Sequence, residues 1–137
     1  MNNTTPSDQF KLTISKANEP ILGPGRRETL TNRDLGTVEA TAGRMLALVT
    51  SATQGMGPAS GWHYHVCEYQ LIYVLKGWVD LEAEDGTHTR IEAGDSAIIP
   101  GGMRHNVPST ANEIEVLTVT VPAEAETVMC DRPSGLK

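Results

Sequence analysis

The stretch from Gly57 to Gly77, GPASGWHYHVCEYQLIYVLKG, decides how the rest of the chain is read. It holds two of the four histidines, and His63 and His65 alternate with Trp62 and Tyr64. The two-residue period of a β-strand puts both imidazoles on one side. Gln70 follows His65 and opens an apolar run, Leu71-Ile72-Tyr73-Val74-Leu75, that ends at Gly77. The offset from His65 to Gln70 is odd, so an unbroken strand would send the two to opposite faces; a turn or bulge is expected around Cys67 to Tyr69. Two imidazoles and an amide converging beside a buried strand suit a metal ion, whereas packing alone requires no such set.

A second block answers the first. Residues Gly94 to Ser109, GDSAIIPGGMRHNVPS, contribute His105 with the spacing G-x5-P-x-G-x2-H-x3-S, and the first block reads G-x5-H-x-H-x4-Q-x6-G. Together they resemble the paired motifs of the cupin superfamily, G-x5-H-x-H-x3–4-E-x6-G and G-x5-P-x-G-x2-H-x3-N. Gly57, His63, His65, Gly77, Gly94, Pro100, Gly102 and His105 match; Gln70 stands where the family most often has Glu, and Ser109 where it often has Asn. The resemblance implies a small single-domain cupin: an all-β double-stranded β-helix, or small jelly-roll barrel. It also implies one divalent transition metal per chain (Fe, Zn, Ni, Co, Mn or Cu), held by His63, His65, Gln70 and His105, with Gln70 either a direct ligand or a hydrogen-bond partner of a metal-bound water. Small cupins commonly pair, so a homodimer is expected on the same ground.

Composition sets outer bounds. A chain of 137 residues makes one domain, large enough for a single core without staples. Thirteen glycines and eight prolines with a single Phe suit short strands joined by tight turns. A net charge of −6 supplies no basic patch for phosphates, so a nucleic-acid partner is not expected. Cys67 and Cys130 make no disulfide framework. The opening MNNTTPSDQFK has no signal-peptide pattern, and no apolar run approaches the ~20 residues that span a membrane. A cytoplasmic protein away from membranes is the expectation.

Along the chain, residues 1–9 form a polar, flexible arm, residues 10–122 the barrel, and residues 123–137 an irregular tail. Strands are expected at Phe10–Ile14, weakly at Gly36–Ala40, and at Arg44–Thr50, Trp62–Val66, Gln70–Lys76, Trp78–Ala83, Thr87–Glu92, Ser96–Ile99, His105–Val107 and Ile114–Val121. Glu19 to Arg27, with Pro20, Gly23, Pro24 and Gly25, reads as a loop. Asp85-Gly86 signals a hairpin. Strands at this spacing, about 8–12 residues, belong to a sandwich or barrel.

One histidine alone reads best as a satisfied core residue; three at these spacings read as a metal site. His88 sits in a polar hairpin and is expected to be exposed. With neutral Gln70 in place of a carboxylate, a bound divalent ion would keep its full charge. It would then act as a stronger Lewis acid and attract an anionic or chelating substrate. Three imidazoles favour transition metals over Mg²⁺. Glu68 lies off the family spacing, in the turn; folded inward it would be a candidate catalytic general base. Cys67 reads as a small apolar residue or an occasional soft ligand. Strand parity places Ile72, Val74 and Val107 on the pocket wall with Gln70 and His105. The strand around Met45, Ala47 and Val49, or their neighbours Leu46 and Leu48, supplies another wall. Arg44 at its start is a possible carboxylate anchor, though a solvated Arg is the usual outcome there. Tyr73, Leu75 and Trp78 face away, between sheets or at a dimer interface.

Two function classes fit, and a third, a metal-free structural cupin, is disfavoured by the intact His63, His65 and His105. One is a metal-dependent enzyme on a small organic molecule, either a non-haem iron dioxygenase or a Lewis-acid lyase, isomerase or cyclase. The other is a non-catalytic cupin that binds or senses a small ligand.

Overall fold

The computed structural model describes residues 9–136. The expected flexible arm, residues 1–9, lies outside them apart from Gln9. Eleven strands and one helical turn follow in order: β1 Ile21–Pro24, β2 Thr31–Asp34, α1 Thr37–Ala40, β3 Leu46–Ala52, β4 His63–Val66, β5 Tyr69–Lys76, β6 Trp78–Ala83, β7 His88–Glu92, β8 Ser96–Pro100, β9 His105–Asn106, β10 Ile114–Val121 and β11 Glu126–Met129. They form two antiparallel sheets. One has the order β1-β2-β3-β10-β5-β8 and the other β11-β4-β9-β6-β7. This is the expected all-β jelly roll. Among the described residues no helix is long and apolar enough to cross a membrane.

The strand β10 organises the larger sheet, pairing with β3 along Ile114–Thr120 and with β5 along Glu115–Val121. Its alternate residues Val116, Thr118 and Thr120 face inward. Between the sheets Ile72, Val74, Val79, Leu81, Ile91, Ile99 and Val116 make one apolar cluster, with Val74 fully buried. The apolar run at Gly77 therefore does what its alternation implies, with Ile72 and Val74 in the core. Tyr73 and Leu75 are exposed on the outer face rather than packed between the sheets. Trp78 carries the Arg90 guanidinium over its ring at 3.5 Å, and Asp80 holds that guanidinium by two hydrogen bonds of 2.8 and 3.2 Å. Ser109, the residue that stands for the family's Asn, donates to the Asp80 carboxylate at 3.0 Å.

Five expectations are corrected. Phe10–Ile14 alternates but is not a strand: Leu12 is 94 % and Ile14 74 % exposed, so the pattern has no face to bury. Gly36–Ala40 is no strand but contains the single turn α1. The Asp34 carboxylate accepts from the Gly36 N–H at 2.7 Å, and the N–H groups of Ala40 and Thr41 donate back to Gly36 and Thr37. The loop from Glu19 to Arg27 contains β1, and the unassigned residues after it contain β2. The tail after Pro122 is not wholly irregular, because β11 pairs with β4, setting Thr127 opposite His65. The strand expected at Arg44 starts two residues later and runs on to Ala52.

The two histidine blocks are clasped through their turns. Residues 67–68 break the path between β4 and β5, as the odd offset requires. The Gly101 N–H donates to the Glu68 carbonyl (2.9 Å) and the Gly102 N–H to the His65 carbonyl (3.0 Å). A Cβ on Gly101 would overlap the Cys67 carbonyl, which leaves room only for glycine. Gly102 is different: its φ is +82° but open space surrounds it. Gly101→Ala should therefore cost about 3 kcal/mol or more through overpacking. Gly102→Ala should cost about 1–2 kcal/mol through left-handed backbone alone. Denaturant unfolding of both variants beside the parent checks the ranking, and equal costs would contradict this packing.

Candidate metal centre

The register of the smaller sheet builds the site. His63 on β4 lies directly opposite His105 on β9, and His65, two residues along β4, shares the face of His63. The ring centroids are 4.3 Å apart for His63 and His105, 5.0 Å for His63 and His65, and 5.1 Å for His65 and His105. One nitrogen from each ring lies within 4.8 Å of the others. His63 and His105 are each only 3 % exposed.

The outer nitrogens fix how the rings can act. His63 Nδ1 lies 2.7 Å from the Gly61 carbonyl and His105 Nδ1 2.9 Å from the Met103 carbonyl. A carbonyl only accepts, so both Nδ1 atoms carry the proton and both Nε2 lone pairs are free. His65 Nδ1 lies 3.0 Å from the Thr127 hydroxyl, donated by the strand that sequence reading missed. Metal-bound histidines are oriented in this manner, with the second ring nitrogen tied to a backbone or hydroxyl oxygen. Burial holds all three neutral. It lowers His63 to a pKa of about 4 and His65 to about 4, with the other imidazoles and Arg26 adding to the effect, and it lowers His105 as well. Two neutral rings with free Nε2 lone pairs, and a third that presents its own when the Thr127 hydroxyl accepts from Nδ1, fit a transition-metal ion.

A cavity of about 330 Å³ opens on this cluster. Gln70 lines it; its side-chain nitrogen donates to the Thr120 hydroxyl (3.2 Å), which leaves Oε1 without a partner among the described residues. Ile72 and Val107 line it too, as parity implies, but Val74 sits sealed in the core beneath. Met45 and Ala47 are not on the wall. Leu46, Leu48 and Thr50 face the cavity instead, since they stand opposite the inward Thr120, Thr118 and Val116 of β10. Glu68 is exposed and off the cavity, so it is not placed to act as a base there. Cys67 and Cys130 are free and off the wall, and burial next to Glu68 raises the Cys67 thiol pKa. His88 is exposed. Arg44 is exposed, bonded to Gln9 at 3.0 Å and stacked over Phe10 at 5.2 Å. The arginines that reach the cavity are Arg26 and Arg27, from the segment read as plain loop. Nothing in the sequence marks them except their charge beside glycine and proline.

The depressed imidazole pKa values carry a stability consequence in the metal-free chain. The unfolded chain takes up protons near pH 6.5 while the folded rings resist until about pH 4. Their contribution is therefore complete above pH 6.5 and is lost as pH falls toward 4. In excess chelator, the thermal midpoint should fall across this window, and His63→Gln should flatten the slope. A midpoint indifferent to pH there would mean that the rings are solvated.

Comparison with known proteins follows the same line. No curated protein matches the chain in sequence. Among solved structures it is similar to the polyketide cyclase RemF from Streptomyces resistomycificus, at 18 % identity and a TM-score of 0.69, over 90 % of this chain and 89 % of that one. It is also similar to KdgF from Halomonas sp., at 18 % identity and a TM-score of 0.67, over 82 % of this chain and 96 % of that one. A third likeness is to the oxalate decarboxylase of Bacillus subtilis, described by its Mn(II) centres, at 16 % identity and a TM-score of 0.63, over 90 % of this chain but 35 % of that longer one. At such identities these likenesses speak for the fold. The family described as Cupin domain matches residues 51–122, from within β3 through β10 to Pro122, more than half of the chain and all of both histidine blocks. By that match and by its barrel, the chain belongs to the cupin domain family.

Proposed function

We propose that this cupin is a metal-dependent enzyme for a small organic substrate, working by Lewis-acid chemistry of the lyase, isomerase or cyclase kind. The observation that carries the proposal is the donor set: three neutral imidazoles within 4.8 Å, with Gln70 on the same cavity and no carboxylate on its lining. His63, His65 and His105 would hold the ion through Nε2, and Gln70 would add its free Oε1. A divalent ion held without an anionic ligand supplies strong polarisation of a substrate oxygen or a bound water. The chain's own part is to orient and to exclude solvent. Leu46, Leu48, Ile72, Leu81 and Ile99 give an apolar wall, and the lining offers no carboxylate, amine, thiol or phenol as an acid or base. The cyclase RemF shares this fold, which is compatible with such chemistry.

A second reading is a non-catalytic binding cupin, favoured by the same lack of an acid–base carboxylate on the lining. Oxygen chemistry at iron is the other outcome within the enzyme class. Elemental analysis of protein prepared without chelators should give about one transition-metal ion per chain, and His63→Ala should remove it while leaving the barrel folded. Activity supported by zinc would favour Lewis-acid chemistry, whereas dependence on iron with consumption of O₂ would replace it with a dioxygenase. Protein that takes up no metal after reconstitution would leave the binding reading.

The chain is also proposed to pair with a second copy through the outer face of its larger sheet. Tyr73 and Leu75 on β5 and Ile98 on β8 are exposed there, and Ile98 lies opposite Leu71, so they share one apolar face. Light scattering should give twice the chain mass, and Tyr73→Glu should shift it to the monomer. A monomeric parent protein would refute the pairing.

A further inference from the structure

Charge around the cavity is one-sided. Its lining holds Arg26 and Arg27 but no Asp, Glu, Lys, Cys or Tyr, in a chain whose net charge is −6. The two arginines are not equivalent. Arg27 donates through Nη2 to the Ala59 carbonyl at 2.7 Å, tying the β1–β2 loop to the segment that leads into His63. Arg26 makes no hydrogen bond and no ion pair among the described residues.

The loop that carries Arg26 has a set shape. The Gly25 N–H donates to the Leu30 carbonyl and the Leu30 N–H to the Arg27 carbonyl, both at 3.0 Å. A Cβ on Gly25 would come within 2.5 Å of the Leu30 Cβ, so the close approach requires glycine. From this loop Arg26, itself exposed, lines the cavity, and its charge helps to keep all three imidazoles neutral. Arg26 itself is pushed below its ordinary pKa by partial burial and by Arg27. A guanidinium left unpaired and partly desolvated, facing neutral rings, costs stability that an anion offsets.

We propose that Arg26 is the substrate anchor of this cavity and that the substrate is a small monoanionic carboxylic acid with an apolar body, its carboxylate held by the guanidinium and its remainder lying toward the three histidines. One uncommitted guanidinium matches one carboxylate in a two-pronged hydrogen bond. A dianionic phosphate would call on a second guanidinium as well, and Arg27 has its Nη2 tied to the Ala59 carbonyl. The aliphatic walls at Leu46, Leu48, Ile72 and Leu81 suit the apolar body. The inference rests on the reading of this cavity as a substrate site.

Calorimetric titration of the chelator-treated full chain tests it without relying on the metal. The probes are butyrate, benzoate and 3-phenylpropanoate, each beside its primary amide. At least one acid should bind saturably and about tenfold or more tighter than its amide, as a charge-assisted pair implies. Arg26→Met should erase that preference and Arg26→Lys should keep part of it; Arg26→Gln serves if the Met variant fails to fold. No saturable acid, equal binding of acid and amide, or a preference that survives loss of the guanidinium would each overturn the anchor. Phenyl phosphate bound more tightly than every acid through Arg26 would overturn the carboxylate assignment. Metal content, measured separately, separates the two ideas: a chain that takes up no metal yet prefers acids through Arg26 defeats the metal enzyme and sustains the anchor.

Discussion

The constraint on which the rest depends is the burial of three imidazoles in one place with no acid to neutralise them. Buried histidines are tolerable only if neutral and hydrogen-bonded, and here each Nδ1 has a partner: Gly61, Thr127 and Met103. Those partners come from three separate stretches of chain. One precedes β4, one lies on β11 and one precedes β9, so the site closes only when the smaller sheet is complete. The direct pairing of His63 with His105 supplies the remaining link. Fold and site are thus one construction, since the sheet that buries the rings and so keeps them neutral also supplies the hydrogen bonds that orient them.

The histidines were legible in the sequence because their spacing encodes register. Alternation puts His63 and His65 on one face, and the Pro100-Gly101-Gly102 turn returns His105 to meet them. The odd step to Gln70 was legible too, since only a break at residues 67–68 lets Gln70 and His65 face one cavity. What was not legible depends on long-range pairing between weakly patterned segments. The strand β2, Thr-Asn-Arg-Asp, has no apolar alternation; it exists because Thr31 to Asp34 pair with Leu48 to Ser51. The strand β11 is four residues long and exists because β4 offers it an edge. Conversely Phe10–Ile14 alternates well but meets no partner strand, and Leu12 and Ile14 stay in water. Parity on β3 could not be chosen from sequence because both of its faces are apolar. The register with β10 chooses it, sending Leu46, Leu48 and Thr50 inward.

Replacing a family Glu by Gln70 alters charge more than shape. The amide nitrogen is occupied by Thr120, and the oxygen keeps the position from which it can donate a lone pair. A carboxylate there would add a negative charge next to three imidazoles and would raise their proton affinity. With the amide, no carboxylate on the lining opposes the field of Arg26 or of any cation the histidines would hold. The cavity is therefore electropositive inside a protein that is acidic overall.

That contrast bears on which molecules enter. The acidic exterior repels anions at long range, although at physiological salt the repulsion is screened within about 8 Å. At the cavity wall much of the lining is aliphatic, so the field of the Arg26 guanidinium is screened less there than in open solvent. Selection for an anion thus operates at the wall and not in the approach, and it operates through a residue whose placement depends on a six-residue loop. Gly25 permits the tight turn, Leu30 closes it, and Arg27 fastens it to Ala59 beside the strand that carries His63. The loop therefore links the β1–β2 hairpin to the histidine strand, and a change in either alters the distance between the positive wall and the three imidazoles.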